Sequence, residues 1–201
     1  MGVYLDNAAT TSLDPEVLNA MMPYLTELYG NPSSQHSAGR SVRSAIEDAR
    51  KKIAQLLNAQ PGDIVFTSGG TESNNTILKG AVRDLGVKHI IISAIEHHCV
   101  SHTAEYLEKT GQIKLTVLPV NEFGQIIISE LEKALADSNE KTLVSLIHAN
   151  NEIGVMIDID QVAHICKSYG AYFHSDTVQT FAHYNLDVQK TPIDFISAAA
   201  H

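Results

Sequence analysis

The stretch "TLVSLIHA" at residues 142–149 is apolar on both sides of an extended chain. Successive side chains of a strand point to opposite faces, so Leu143 and Val144 face opposite ways, as do Leu146 and Ile147. A strand with two apolar faces is covered on both sides, which is typical of a parallel sheet between two layers of helices. Five further runs of strand length are "DIVFTS" (63–68), "KHIIISA" (88–94), "KLTVLPV" (114–120), "AYFHSD" (171–176) and "DFISAA" (194–199). We therefore predict an α/β fold with a mainly parallel (mixed) sheet and helices on both faces.

Helical patterns separate most of these runs. Asp14 and Pro15 predict a helix start, because Asp accepts free amides and proline suits the first helical position. We expect this helix to end at Gly30, and we expect "NPSSQHSAGR" (31–40) to be a polar loop. Apolar residues at helical spacing from Val42 to Leu57 predict a second helix, which ends at the "NAQPGD" turn.

The composition limits the class of protein. The chain has 201 residues, 44% of them hydrophobic, which is enough for one large domain with its own core. A formal charge of −9 argues against nucleic acid or an anionic membrane as the main partner. The longest apolar runs are far shorter than the roughly 20 residues that span a bilayer, and no targeting signal is visible, so we expect a cytoplasmic protein. Cys99 and Cys166 lie in apolar or helical patterns, which favours reduced thiols over a disulfide.

Ligands of such sheets bind at the carboxyl ends of the strands, and glycines follow the first run there. Gly69 and Gly70 allow close approach of backbone amides, and Thr71 can cap the next helix or offer a hydroxyl. A glycine turn before a helix is suited to a phosphate. The stretch has no lysine of a P-loop and lacks the three spaced glycines of a dinucleotide fingerprint. An ordinary glycine turn with a threonine cap is the other interpretation.

The segment "IEHHCVSH" (95–102) allows two functional interpretations. His98 and His102 are four residues apart, as metal ligands on one helix face would be, with His97 and Cys99 nearby. The segment lacks the Glu of a metalloprotease motif, and the chain has no second ligand cluster, so we predict no metal site. The alternative is a single imidazole that stacks on an aromatic cofactor and carries protons. The structural explanation is that His98 and His102 lie on the surface or pack against neighbours without a chemical role.

Polar residues also follow the later strands. Asn151 offers an amide to a phenolate or carboxylate, or else belongs to a turn. Asp176 ends an apolar strand, where a carboxylate is costly without a cation, and the protonated nitrogen of a pyridine cofactor is such a partner. Capping of a following helix is its structural alternative. Gln179, one helical turn later, would face the same cleft.

These residues describe a pocket for pyridoxal 5'-phosphate (PLP) that lacks only a lysine. Six motifs in this order closely resemble the cysteine desulfurases of the class V aminotransferase superfamily: "YLDNAATT" (4–11), "NPSSQHSAGR" (31–40), "FTSGGTESNN" (66–75), "EHHCV" (96–100), "HANNEIG" (148–154) and "HSDTVQ" (174–179). The resemblance covers the whole chain. It implies the large domain of a fold type I PLP-dependent transferase.

The resemblance also implies a role for each matching residue. Gly70 and Thr71 match the phosphate-binding residues, and His97 matches the histidine that stacks on the pyridine ring and helps to move protons. Asn151 matches the residue near the ring hydroxyl. These matches imply that the glycine turn and the paired histidines belong to one site.

The last three matches lie in the final quarter of the chain. Asp176 matches the partner of the pyridinium nitrogen, and Gln179 matches the residue beside the ring oxygen. His201 matches the histidine directly before the Schiff-base lysine. A phosphate-binding serine often lies two residues before that histidine, but this chain has Ala199, so one hydroxyl contact is lost.

The resemblance implies that lysine follows His201. We therefore expect residues 1–201 to be an N-terminal portion, with an arm at 1–14 and a PLP-binding large domain at 15–201. Either the chain ends at the attachment point, or the lysine carries PLP and is not written as a standard residue; we favour the second. The nucleophilic cysteine and the arginine that binds the substrate carboxylate would lie further on, and neither Cys99 nor Cys166 matches the nucleophile.

The implied activity is the conversion of L-cysteine to L-alanine, with the sulfur held as a cysteine persulfide. The sulfur would pass to an iron-sulfur scaffold or a tRNA-thiolating enzyme, and a homodimer is expected, with "NPSSQHSAGR" near its active site. The alternatives are a selenocysteine lyase or another class V enzyme, an inactive partner subunit, and a metal-dependent hydrolase built on "EHHCVSH". The portion 1–201 by itself is expected to be inactive.

Overall fold

The computed structural model describes residues 2–200, which form two compact units, one up to Val65 and one at Phe66–Ala200. The first unit contains α1 (Pro15–Thr26), α2 (Ser37–Leu57) and a 3-10 turn (Pro61–Asp63). The helices of the second unit are α3 (Gly70–Asp84), α4 (His98–Lys109), α5 (Ile128–Ala136) and α6 (Ile159–Ser168). Its strands are β1 (His89–Ser93), β2 (Lys114–Leu118), β3 (Thr142–Ile147), β4 (Ala149–Asn150), β5 (Val155–Met156), β6 (Tyr172–Asp176) and β7 (Phe195–Ser197). The predicted boundary between an N-terminal arm (1–14) and a PLP-binding large domain (15–201) stays a prediction.

The helices of the first unit begin and end for local reasons. Asp14 Oδ1 accepts the amide of Glu16 at 2.7 Å, which confirms the predicted start of α1. The helix ends at Thr26 and not at Gly30, because the amides of residues 27 and 28 both bond to the carbonyl of Pro23 and close the last turn.

The second helix starts inside the stretch predicted as a loop. The His36 side chain accepts the amide of Gly39 and caps α2, so that residues 37–40 are already helical. At its other end, Asn58 has a positive φ of 56° and closes α2 in the left-handed conformation, as predicted for the "NAQPGD" turn.

Five strands form one sheet in the order β2-β1-β3-β6-β7, and every neighbouring pair is parallel. The short β4–β5 ribbon is antiparallel, and Val120 and Ile126 form an isolated antiparallel bridge. The predicted α/β fold with a mainly parallel sheet is therefore confirmed.

The run "DIVFTS" is not a strand, and this prediction was wrong. Asp63 lies in the 3-10 turn and residues 64–67 have no regular structure, with Val65 75% exposed. A strand needs a neighbour that accepts its hydrogen bonds, and within residues 2–200 no strand pairs with this run. The Ile64 carbonyl accepts a hydrogen bond from the Arg50 side chain instead.

Helices cover both faces of the sheet, as the apolar runs predict. Side chains of α3 and α4 pack with Ile90, Ile92 and Leu143 on one face. Side chains of α5 and α6 pack with Ile91 and Val144 on the other face. Alternate residues of β1 therefore enter different cores, and the sheet holds its carboxyl edge rigidly between two layers of helices.

Candidate active site

Asp176 is the last residue of β6, and its carboxylate is held by neutral donors. The residue is 4% exposed. Its Oδ1 accepts the Val178 amide at 3.0 Å, and its Oδ2 accepts Asn74 Nδ2 at 2.7 Å. Burial raises the pKa of the Asp176 carboxyl, while these two hydrogen bonds and the nearby His97 offset part of the rise. No helix follows Asp176, only a turn at 178–180, so capping of a helix does not explain this residue.

The amino end of α3 lies against the same turn. Gly69 precedes the helix, and no side chain caps it, so Thr71 is the second helical residue and not the cap that the sequence suggested. A Cβ built at Gly70 would be only 2.8 Å from Val178 Cγ2, which means that the glycine allows the helix end to approach the Asp176 turn closely. The first amides of a helix that lacks a capping side chain are suited to an anion.

His97 caps α4 and contacts Cys99 in two ways. Its Nδ1 accepts the Cys99 amide at 3.2 Å and lies 2.9 Å from Cys99 Sγ. The thiol also accepts Asn74 Nδ2 at 3.1 Å and hydrogen-bonds with Thr71. The predicted residues Thr71, His97 and Asp176 are therefore connected through Asn74 and Cys99.

Asn151 and Gln179 lie in the turns that follow β4 and β6. Asn151 is exposed in the turn after β4, while its neighbour Asn150 donates to the Ile95 carbonyl at 2.8 Å. Gln179 is half-buried in the turn after Asp176 and has a partner of its own. The roles of both residues stay predictions. His201 lies outside the described residues.

Sequence reasoning missed Glu96, which lies between β1 and α4. Its Oε1 accepts the Ile147 amide at 3.0 Å and the Ser93 hydroxyl, whereas Oε2 is inaccessible to solvent and has no hydrogen-bond partner among residues 2–200. Burial raises the pKa of Glu96 to about 8, and Asp176 adds to the rise. The side chain is therefore mostly protonated at neutral pH and links the ends of β1 and β3. The motif "EHHCV" contained this residue, but nothing in the pattern distinguished it from a surface glutamate.

Sequence reasoning also missed Asn74, which is fully buried in α3. A polar residue on the apolar face of the predicted helix was the available signal, because a buried amide needs partners. Those partners are Asp176, Cys99 and Ser197.

A cleft of about 380 Å³ opens beside the site, between α3 and α4. Thr71, His97 and Cys99 line it together with Lys79 and Tyr106. Asp176 is not among its lining residues, so the cleft adjoins the sheet edge rather than containing all of the site.

The metal interpretation of "EHHCVSH" finds no support in the geometry. The rings of His98 and His102 stack with their centroids 5.0 Å apart, which confirms that they share a helix face. Across residues 2–200 no three His, Cys, Asp or Glu side chains converge as metal ligands would. The same residues contain no helix with the length and apolar content to cross a membrane.

Comparison with known proteins identifies the family. Residues 3–201 match the Aminotransferase class-V family. The chain belongs to the class V aminotransferases. Among its curated relatives, the cysteine desulfurase IscS of Dictyoglomus turgidum is 48% identical over 201 residues, which are 99% of this chain and 50% of that protein.

Solved structures of other proteins have a similar fold. A NifS-like protein superposes with a TM-score of 0.92 at 38% identity, over 100% of this chain and 55% of that one. The protein SspA in complex with cysteine superposes with a TM-score of 0.89 at 34% identity, over 96% of this chain and 56% of that one. This class V chain spans about half the length of the relatives it matches.

Proposed function

We propose that this chain is the cofactor-binding part of a PLP-dependent cysteine desulfurase. The observation that carries the proposal is the Asp176 carboxylate, which is buried at a strand end and held by neutral donors next to the amino end of α3. A buried carboxylate is expensive without a cation, and a pyridinium nitrogen supplies one. When bound, PLP supplies a ring that withdraws electrons from the substrate α-carbon.

The residues of the site fit the three parts of PLP. The amides at Gly70 and Thr71 would bind the phosphate at the amino end of α3, where the helix dipole favours an anion. Asp176 would hold the ring nitrogen in its charged form. His97 would lie over the ring and move protons at Nε2, since its Nδ1 is occupied by Cys99.

Asn151, Gln179 and His201 are assigned by resemblance alone. Asn151 and Gln179 would contact the ring oxygen from the turns after β4 and β6, and His201 would precede the lysine that binds PLP. We retain the proposed domain 15–201 on the same ground.

The substrate of the proposed enzyme is L-cysteine. Support comes from the curated relatives, which are cysteine desulfurases, and from the SspA structure, which contains cysteine. Neither cysteine of this chain suits the thiolate that takes the sulfur: burial raises the pKa of Cys166 to about 12 and also raises the pKa of Cys99. We also propose that the enzyme is a homodimer, that it passes the sulfur to an acceptor protein and that it is located in the cytoplasm.

The test compares Asp176→Ala with the exposed Asp137→Ala in the purified protein that includes the lysine and the nucleophilic cysteine expected after His201. PLP affinity is measured by visible absorption, and alanine and sulfide are measured with L-cysteine as substrate. Loss of one partner of a buried charge pair costs about 2–5 kcal/mol, so we expect Asp176→Ala to bind PLP at least about 30-fold more weakly and to turn over little. Asp137→Ala is expected to behave as the wild type.

The outcomes separate the alternatives. Full activity in Asp176→Ala contradicts the role of this residue. A wild-type protein that prefers L-selenocysteine is a lyase for that substrate, and one that binds PLP without turning over either amino acid is an inactive subunit.

A further inference from the structure

A continuous chain of buried hydrogen bonds leads from the centre of the sheet to Asp176. Ser145 Oγ on β3 lies 2.8 Å from His174 Nδ1 on β6, and His174 Nε2 lies 3.2 Å from Ser197 Oγ on β7. Ser197 Oγ bonds to Asn74 Oδ1, and Asn74 Nδ2 donates to Asp176 Oδ2 at 2.7 Å. All five residues are at most 4% exposed. The hydrogen bonds thus join three neighbouring strands to α3.

The Asp176 carboxylate determines the direction of every hydrogen bond in this series. An ionised carboxylate only accepts, so the amide nitrogen of Asn74 must face Asp176 and its oxygen must face Ser197. The Ser197 hydroxyl therefore donates to Asn74 and accepts from His174 Nε2. His174 Nδ1 then accepts the hydroxyl of Ser145. Burial lowers the pKa of His174 to about 3, so this ring stays neutral, as the arrangement requires.

Asn74 also leads to the other side of the site. The second hydrogen on its Nδ2 points to Cys99 Sγ at 3.1 Å. Because Cys99 Sγ accepts this hydrogen, the thiol can use its own hydrogen to donate to His97 Nδ1, which lies 2.9 Å away. The Cys99 amide donates to the same nitrogen at 3.2 Å. Because two donors converge on Nδ1, the ring proton of His97 lies on Nε2.

We propose that Asn74 is a positioning residue that holds the Asp176 carboxylate and the His97 ring as one unit, with His97 in its Nε2–H form. The amide hydrogen-bonds to Asp176 directly and to the Cys99 thiol, which in turn contacts His97. A role in cofactor binding rests on the proposed function. The Asn74 amide would then align the Asp176 carboxylate, as the partner of the ring nitrogen, with the His97 imidazole over the ring.

The decisive experiment replaces the amide by a side chain of similar size without hydrogen bonds, as Asn74→Leu. The ¹⁵N shifts of the His97 ring and the titration of the Asp176 carboxyl carbon are followed by NMR in the purified protein without PLP. We expect Asp176 to titrate at higher pH in Asn74→Leu, because a donor to its ionised form is lost. We also expect the ¹⁵N shift of His97 Nδ1 to change, because Asn74 orients the Cys99 thiol that contacts this nitrogen, while the Cys99 amide keeps the ring in the Nε2–H form.

Asn75→Leu is the matched control on the same helix. Asn75 donates to the Thr71 carbonyl at 3.0 Å and to the Cys99 backbone carbonyl at 3.5 Å, and it accepts the Thr103 hydroxyl at 3.0 Å. Its hydrogen-bond partners among residues 2–200 include neither the Asp176 carboxylate nor the Cys99 thiol. Its loss is expected to leave both NMR signals unchanged. The titratable groups that interact with Asp176 are His97, Cys99 and Glu96. Both variants keep all three of these residues. Unchanged signals in a folded Asn74→Leu protein overturn the proposal.

A second pair of variants decides the question if Asn74→Leu does not fold. Cys99→Ala removes the thiol donor to His97 Nδ1 and is expected to shift the ¹⁵N signal of this nitrogen, whereas Cys99→Ser keeps a side-chain donor and is expected to restore the wild-type shift. In both variants the backbone amide of residue 99 still donates to Nδ1 and keeps the ring in the Nε2–H form. Identical His97 shifts in Cys99→Ala and the wild type contradict the proposed link.

PLP titration separates this inference from the proposed function. Loss of one hydrogen bond to a charged group costs about tenfold in affinity, so Asn74→Leu is expected to bind PLP about tenfold more weakly. A wild-type protein that does not bind PLP contradicts the proposed function, but the ¹⁵N shift of His97 and the titration of Asp176 still decide the role of Asn74.

Discussion

Glu96 is a buried carboxyl whose ionisation should destabilise the folded chain. Its Oε2 is buried without a hydrogen-bond partner among residues 2–200, while Oε1 accepts from Ile147 and Ser93. Burial raises the pKa of this carboxyl from 4.5 to about 8 in the folded protein. The folded state thus retains a proton that the unfolded state has already lost at neutral pH.

The sign of the resulting pH dependence follows from this difference. Between about pH 4.5 and about pH 8 the folded protein binds more protons at Glu96, so the free energy of unfolding falls as the pH rises. Each pKa unit corresponds to about 1.4 kcal/mol, which makes the total loss several kcal/mol as an upper bound. We predict that Glu96→Gln removes most of this slope in urea unfolding between pH 5 and about pH 8.

The exposed Glu132→Gln is the control for this prediction, and it should leave the slope unchanged. A wild-type slope that persists in Glu96→Gln would show that another group carries it.

At the scale of the element, the amino end of α3 determines how closely the helix approaches the Asp176 turn. Gly70 is in van der Waals proximity to Val178, since a Cβ at this position would lie 2.8 Å from Cγ2. The adjacent Gly69 has open space around its Cβ position and an extended φ of 161°. The two glycines therefore differ in what a methyl group would meet.

This difference gives a prediction with a matched control. Gly70→Ala is expected to lower the free energy of unfolding by about 1–3 kcal/mol, because the helix or the turn must shift to admit the methyl group. Gly69→Ala is expected to change it by less than about 0.5 kcal/mol. The midpoints of urea unfolding measure both changes, and equal midpoints for the two variants would contradict the close approach.

At the scale of the whole second unit, β3 stabilises two separate cores. Leu143 packs with α3 and α4 on one face of the sheet, and Leu146 packs with α5 and α6 on the other. Both side chains are fully buried. Each leucine therefore contributes to the attachment of one layer of helices.

We predict that Leu143→Ala and Leu146→Ala each lower the free energy of unfolding by about 2–5 kcal/mol, because each opens a cavity in one core. Val117 on the edge strand β2 is 51% exposed, and Val117→Ala is expected to cost less than about 1 kcal/mol. Urea denaturation of the three variants tests this order. A small cost at only one leucine would mean that the sheet is covered on one face alone.

The sequence determined the class of fold and part of the site by local chemistry. Ile90, Ile91 and Ile92 alternate between the two faces of β1, and a run that is apolar on both faces has few solutions other than a covered parallel sheet. Asp176 was predictable because a carboxylate at the end of such a run needs a partner. The run "DIVFTS" was wrongly predicted as a strand, because its apolar pattern does not reveal whether a neighbouring strand is present.

Only the tertiary structure decided which groups meet at the end of the sheet. Asn74 and Asp176 are 102 residues apart in the chain, and their contact depends on where α3 crosses the end of β6. Glu96 looked like a surface glutamate in its motif, yet packing left Oε2 of its carboxyl inaccessible to water. Local patterns express whether a residue prefers water or a core, whereas hydrogen-bond partners and pKa values depend on distances between elements, which arise only when the layers pack.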